Sequence, residues 1–252
     1  MKLIASCVVV CIVLIAVEGV LIDLSHNYNE STQYWPTATQ KFELTIQARG
    51  FIGDGLWYSS NNFCSSEHSG THLDAPYHFN EHGWTVEQIP LDHLFQIPAA
   101  VVDISERISQ NIHPLDLTVE DLAAWELVYG RIPDKGIVIM HSGWIKNYHD
   151  SNSYYNSTTL TDMHSFNFPG IDPQAAMWLV NNRNIVAVGV DSASADGKGE
   201  AKSHQILLGK NVYILENLAN VEQIPAKGAF IYALPMKIEG GSGAPCRVLA
   251  KC

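Results

Sequence analysis

Apolar residues along the chain fall in short blocks of strand length rather than in long helical stripes. Runs rich in Val, Ile, Ala and Tyr occupy positions 20–24, 99–104, 136–140, 185–190, 212–215 and 229–233. Blocks of this length and composition predict β-strands, and those that are apolar throughout predict strands buried on both faces. Two helices announce themselves by their caps. Thr118 with Asp121 three residues on forms a capping box with Asp in place of Glu, followed by Leu122, Trp125 and Val128 and stopped by Gly130. Asp172-Pro173 supplies an N-cap and a first-turn proline ahead of Ala175, Ala176, Leu179 and Val180. Few helices among many strands predict a mixed α/β domain in which strands predominate. The polar stretch 147–167, rich in Ser, Asn and Tyr, reads as a long exposed loop. No repeat, low-complexity tract or linker divides the chain, so residues 20–252 are expected to form one domain.

The N-terminus changes this picture. Lys2, the apolar run 3–17 and Glu18-Gly19 have the layout of a secretory signal peptide over residues 1–19. Its apolar core is shorter than the roughly 20 residues that a membrane span needs. Sequons at Asn29 and Asn156 fit an exported glycoprotein. Of five cysteines, Cys7 and Cys11 would leave with the leader. Cys64, Cys246 and Cys252 would remain, from which one disulfide and one spare thiol are expected, with three pairings open. The net charge of −11 comes without a Lys/Arg run, so no nucleic-acid or anionic-membrane partner is expected.

Chemistry concentrates in one segment. Of eleven histidines, His68, His72 and His78 stand within His68-Ser69-Gly70-Thr71-His72-Leu73-Asp74-Ala75-Pro76-Tyr77-His78-Phe79. Imidazole nitrogen with carboxylate oxygen suits a borderline divalent ion such as zinc or manganese. Gly70 and Pro76 argue against a helix here. In an extended segment His72 and Asp74 project to one side, and Gly70 lets the backbone fold so that His68 joins them. Nearby Cys64 is a weaker candidate ligand. His204 and Glu216, a turn and a strand apart, carry little weight by spacing alone.

The segment matches in full the HxGTHxDxPxHF pattern of the cyclase family, which includes bacterial kynurenine formamidase and isatin hydrolase. The resemblance continues through Asp23-Leu24-Ser25-His26, Phe168-Pro169-Gly170, Gly189-Val190-Asp191, Glu216-Asn217-Leu218 and Gly240-Gly241-Ser242-Gly243-Ala244-Pro245. It implies a strand-rich swivelling β/β/α fold, usually assembled as a homodimer or higher oligomer. It also implies metal-dependent hydrolysis of a small-molecule amide or cyclic amide, arylformamidase-like, by water activated on one or two divalent ions. His68, His72 and Asp74 align with metal ligands, His78 with the catalytic histidine, and His204 and Glu216 with ligands of a second ion. Met140-His141-Ser142-Gly143-Trp144, where relatives often carry a Thr before Gly-Trp, and the 147–167 loop depart from the pattern and are expected to bear on substrate choice. Trp57 and Trp144 are candidates for an aromatic pocket.

Rival chemistries lack their signatures. The chain has no Gly-x-Ser-x-Gly elbow, Walker A loop, GxGxxG or CxxC pair, which removes serine-nucleophile, kinase, dehydrogenase and thioredoxin-like readings. The remaining alternative is a secreted binding protein that keeps the fold without turnover. His78, which a purely structural metal site would not need, argues against it.

Overall fold

The computed structural model describes residues 19–252. The apolar N-terminal run expected to be a signal peptide, with its two cysteines, therefore lies outside the described residues. Ten strands alternate with five short helices: β1 Leu21–Asp23, β2 Glu43–Ile52, β3 Leu56–Cys64, β4 His72–Asp74, β5 Ile97–Asp103, α1 Ser105–Ser109, α2 Val119–Tyr129, β6 Gly136–His141, α3 Ser151–Tyr155, α4 Pro173–Asn182, β7 Ile185–Val190, α5 Lys202–Leu208, β8 Tyr213–Glu216, β9 Lys227–Pro235 and β10 Gly243–Lys251. All six apolar blocks are strands and both capped segments are helices. The capping box is built as read: Asp121 N donates to Thr118 Oγ1 at 3.3 Å and Thr118 N donates to Asp121 Oδ2 at 2.9 Å.

Strands β5, β6, β7 and β8 run parallel, and β4, β10 and β9 join them antiparallel in the order β10-β4-β8-β7-β6-β5-β9, with β9 pairing back to β10. The sheet thereby closes into a seven-stranded barrel, and β1 adds to the far end of β10. Side chains alternate across this sheet. Ile97, Ile137, Ile139, Leu215, Leu73, Ile231 and Val248 fill the barrel interior. Val102, Val138, Met140, Val188 and Ile214 face outward against Leu122, Trp125, Ala176, Leu179 and Leu207 of α2, α4 and α5. The layering is the expected β/β/α arrangement, with the central strands buried on both sides.

Three expectations are corrected. The stretch 147–167 is not simply an exposed loop: it contains α3 and buries Tyr148, Tyr154, Tyr155 and Phe166 with Phe168 in a third apolar cluster. Its polar average hid aromatic anchors spaced among Ser and Asn. Cys64, Cys246 and Cys252 are all free thiols. Cys246 and Cys252 lie six residues apart along and just past β10, roughly 20 Å at strand rise, beyond disulfide reach. Finally, β2 and β3 form a separate two-stranded ribbon whose Leu44, Ile46, Phe51, Leu56, Trp57 and Phe63 are exposed, so among the described residues Trp57 stands on an open surface rather than in an aromatic pocket.

Candidate metal centre

The site is assembled where β4 meets β8. The pairing register sets His72 directly opposite Glu216, and the two-residue period of β4 turns His72 and Asp74 to the same side. Gly70, at φ +52°, makes the fold-back that the sequence required, and its missing side chain leaves room for Tyr28 and Thr32. His68 then reaches Asp74, Nδ1 to Oδ1 at 2.6 Å, while His72 Nε2 lies 3.1 Å from the same oxygen and 3.6 Å from Glu216 Oε2. Pro76 starts a single 3₁₀ turn that carries His78 back over the cluster, its ring stacked on His68 at 3.9 Å. From the other side α5 brings His204, whose Nε2 lies 3.2 Å from Asp74 Oδ2 and 3.3 Å from Glu216 Oε1. All six residues singled out in the sequence therefore meet. Cys64 does not: it sits exposed at the end of β3, accepting from Gln40 Nε2.

The outward ring nitrogens are also held. His72 Nδ1 is 3.0 Å from Gly70 O, and His204 Nδ1 is 2.6 Å from Asp196 Oδ2, whose carboxylate also accepts the Ser203 and His204 amides. Glu216 Oε1 accepts the Ala195 amide at 2.9 Å. Asp196 was not foreseen from sequence, since it stands in a Ser/Ala/Gly-rich stretch and, unlike Asp191, belongs to none of the segments that carried the resemblance.

Electrostatics divide the histidines into two kinds. Burial opposes charge on His72, but Asp74 and Glu216 outweigh it and hold the ring at about 9. Burial opposes charge on His204 too, and Asp196, Asp74 and Glu216 lift it well above its ordinary value. Burial would raise Asp74, yet His72, His68 and His204 hold its carboxyl well below the usual range. His78 goes the other way: burial pushes it down to about 4, Asp74 opposing and the neighbouring imidazoles adding. Its ring is neutral at pH 7 and so carries a lone pair, although burial disfavours its protonated form.

This donor set fits a divalent cation. His72, Asp74 and Glu216 offer ligand atoms all within 4.8 Å of one another, as do His68, Asp74 and His78. Among the described residues Asp74 and Glu216 are ion-paired only with histidines, so two buried carboxylates lack a Lys or Arg counter-ion. A cation would take the place of the protons that His72 and His204 otherwise hold against these carboxylates.

The cluster forms the floor of a cavity of about 360 Å³ with walls from Tyr34, Trp35, Phe79, Tyr155 and Met163. Asn217 also faces it, and its Oδ1 is occupied by the Tyr154 hydroxyl at 2.8 Å, so the amide NH₂ is what it offers a ligand. Tyr155 and Met163 come from the 147–167 stretch, as expected. Ser142 does not line the cavity, because it is buried with its hydroxyl and amide on Asp191; Trp144 is also absent, its indole N–H being donated to Tyr154 O at 2.8 Å. Trp35, the aromatic wall in their place, lies in a segment with no distinguishing pattern.

Comparison with known proteins agrees with this geometry. The profile of the family described as "Putative cyclase" matches residues 22–197. The isatin hydrolase of Roseibium aggregatum is 33% identical over 210 residues, covering 79% of this chain and 77% of that protein. The kynurenine formamidase of Salinibacter ruber is 28% identical over 240 residues, covering 92% and 97%. The solved structure of isatin hydrolase A from Ralstonia solanacearum superposes with a TM-score of 0.80 at 32% identity, over 92% of this chain and 91% of that one. A match that runs through the strands of the barrel and the histidine segment alike leaves one assignment: the chain belongs to the cyclase family.

Proposed function

We propose that this protein is a secreted metal-dependent hydrolase that cleaves the C–N bond of an aromatic amide or cyclic amide. The observation that carries the reading is the convergence of His68, His72, Asp74, His204 and Glu216 with a neutral His78 at the floor of an aromatic-walled cavity. The names of its relatives, isatin hydrolase and kynurenine formamidase, support an aryl substrate of this class. One or two ions, zinc or manganese, held by those five side chains would lower the pKa of water from 15.7 to about 7 and offset charge on the carbonyl oxygen.

The chain's own residues do the rest. Trp35, Phe79 and Tyr155 hold a planar ring by stacking and exclude water from it. The Asn217 NH₂ orients a carbonyl. His78 takes the proton from the attacking water as its oxygen bonds to the carbonyl carbon, then delivers that proton to the nitrogen as the C–N bond breaks. The products are a carboxylate and a free amine, on one molecule for a cyclic substrate and on two for a formamide.

Metal uptake competes with protons. Because the metal-free cluster holds a proton on His72 up to about pH 9, binding at neutral pH displaces it. Zinc affinity is therefore expected to fall about tenfold for each proton displaced per unit drop in pH. Calorimetry in buffers of different ionisation enthalpy measures that release; equal affinity at pH 8 and pH 6 would contradict it.

Export rests on the 1–19 leader and on the exposed sequon at Asn156. Secretion with an N-terminus near residue 20 and a mass lowered by N-glycosidase is the expected result. A homodimer is supported by the β2–β3 ribbon, because two strands with both faces in water are not self-sufficient. A second copy would cover Phe51 and Trp57. Light scattering should show a dimer that F51D/W57D converts to monomer. The activity itself is tested by a panel of aryl formamides and cyclic aryl amides, given to metal-stripped and metal-restored protein. Hydrolysis that returns with the metal supports the reading, and no hydrolysis of any member overturns it in favour of a binding role.

A further inference from the structure

His68 is the ligand candidate with the most exposed ring, yet its outward nitrogen is the most elaborately held. Its Nε2 lies 2.9 Å from Ser242 Oγ, which lies 2.7 Å from Glu67 Oε2; the Ser242 amide donates to the same carboxylate oxygen at 3.1 Å. A carboxylate only accepts, so the Ser242 hydroxyl donates to Glu67 and is left to accept from His68 Nε2–H. That order leaves Nδ1, which meets the Asp74 carboxylate at 2.6 Å, as the nitrogen that would bind a cation in place of its hydrogen bond to Asp74. Gly243 completes the seat. A Cβ there would lie 2.5 Å from His68 Cε1 and 2.9 Å from Nδ1, so the ring occupies the space a side chain would fill.

We propose that Glu67, Ser242 and Gly243 are positioning residues that set the tautomer and location of His68, and through it the affinity of the site for its cation. The proposal rests on the metal reading above. His72 and His204 are fixed by groups close to them in sequence, Gly70 and Asp196, whereas His68 is fixed by a hydroxyl on the segment leading into β10. The site's first ligand is thus oriented from the opposite end of the chain.

The test is zinc affinity of metal-stripped protein, measured by chelator competition at fixed pH. Loss of a group that orients a ligand imidazole weakens metal binding by about 10–100-fold, and that is the expectation for Ser242→Ala and Gly243→Ala. Ser242→Thr, which keeps the hydroxyl, should bind within a few-fold of wild type. Glu67→Ala, at a partly exposed position, should weaken binding in the same direction and carries the test if Ser242→Ala does not fold. In zinc-loaded protein, ¹⁵N spectra should show His68 protonated on Nε2. Ser242→Ala or Glu67→Ala binding zinc within twofold of wild type, while His72→Ala loses it, overturns this proposal alone. Undiminished zinc binding by His72→Ala overturns the metal reading as well. Protonation on Nδ1 in the zinc-loaded state also overturns the orienting role.

Discussion

Alanine at position 78 is expected to lower turnover by about 10²- to 10⁴-fold while leaving bound metal near one wild-type complement. General acid–base catalysis by a placed side chain is worth that factor. The His78 ring is placed for that role: it is neutral at pH 7, stacked on His68, and 6.2 Å between ring centres from His204 at the cavity floor. The same geometry supplies the rival outcome, since His78 shares a donor group with His68 and Asp74. Elemental analysis beside kinetics separates the two roles. A mutant that loses metal in proportion to activity makes His78 a ligand, and the proton would need another carrier.

His72→Ala is expected to abolish both stoichiometric metal and measurable hydrolysis. The side chain is buried, anchored at Nδ1 by Gly70 O, and faces both buried carboxylates through Nε2. Its removal leaves Asp74 and Glu216 with one histidine fewer between them, so the metal-free protein should also be less stable, by a few kcal/mol if the carboxylates remain ionised. Thermal melts with and without zinc give the check. Wild type should gain stability with metal and the mutant should not; a mutant that is stabilised by zinc as strongly as wild type would remove His72 from the ligand set.

How far these features could be read in the sequence follows from where their signals lie. Strands β5, β6, β7 and β8 carry continuous apolar runs because both their faces are buried, and their boundaries emerge within a few residues. Strand β4 has only three residues, two of them site residues, so chemistry conceals its strand character. The β2–β3 ribbon escapes because its Ser59-Ser60-Asn61-Asn62 half is polar and nothing among the described residues buries its apolar half. Strand β10 is interrupted by Pro245 and Arg247 and does not read as a block. His68, His72, Asp74 and His78 were legible because their motif is dense, His204 and Glu216 only through the family resemblance. Asp196, Glu67 and Trp35 were not, and Asn217 stood only within the family pattern without a role, since single polar or aromatic residues acquire meaning only when folding sets them beside the cluster.

The His72–Glu216 register has a bearing on how the molecule matures. A slip of one residue between β4 and β8 would turn His72 and Asp74 away from Glu216 and put Leu73 in their place. Mispaired chains would thus forfeit ion capture altogether, whereas correctly aligned ones would be trapped by it. Zinc or manganese present during refolding would then act as a proofreader of strand alignment, rewarding one barrel closure among its neighbours before any substrate arrives.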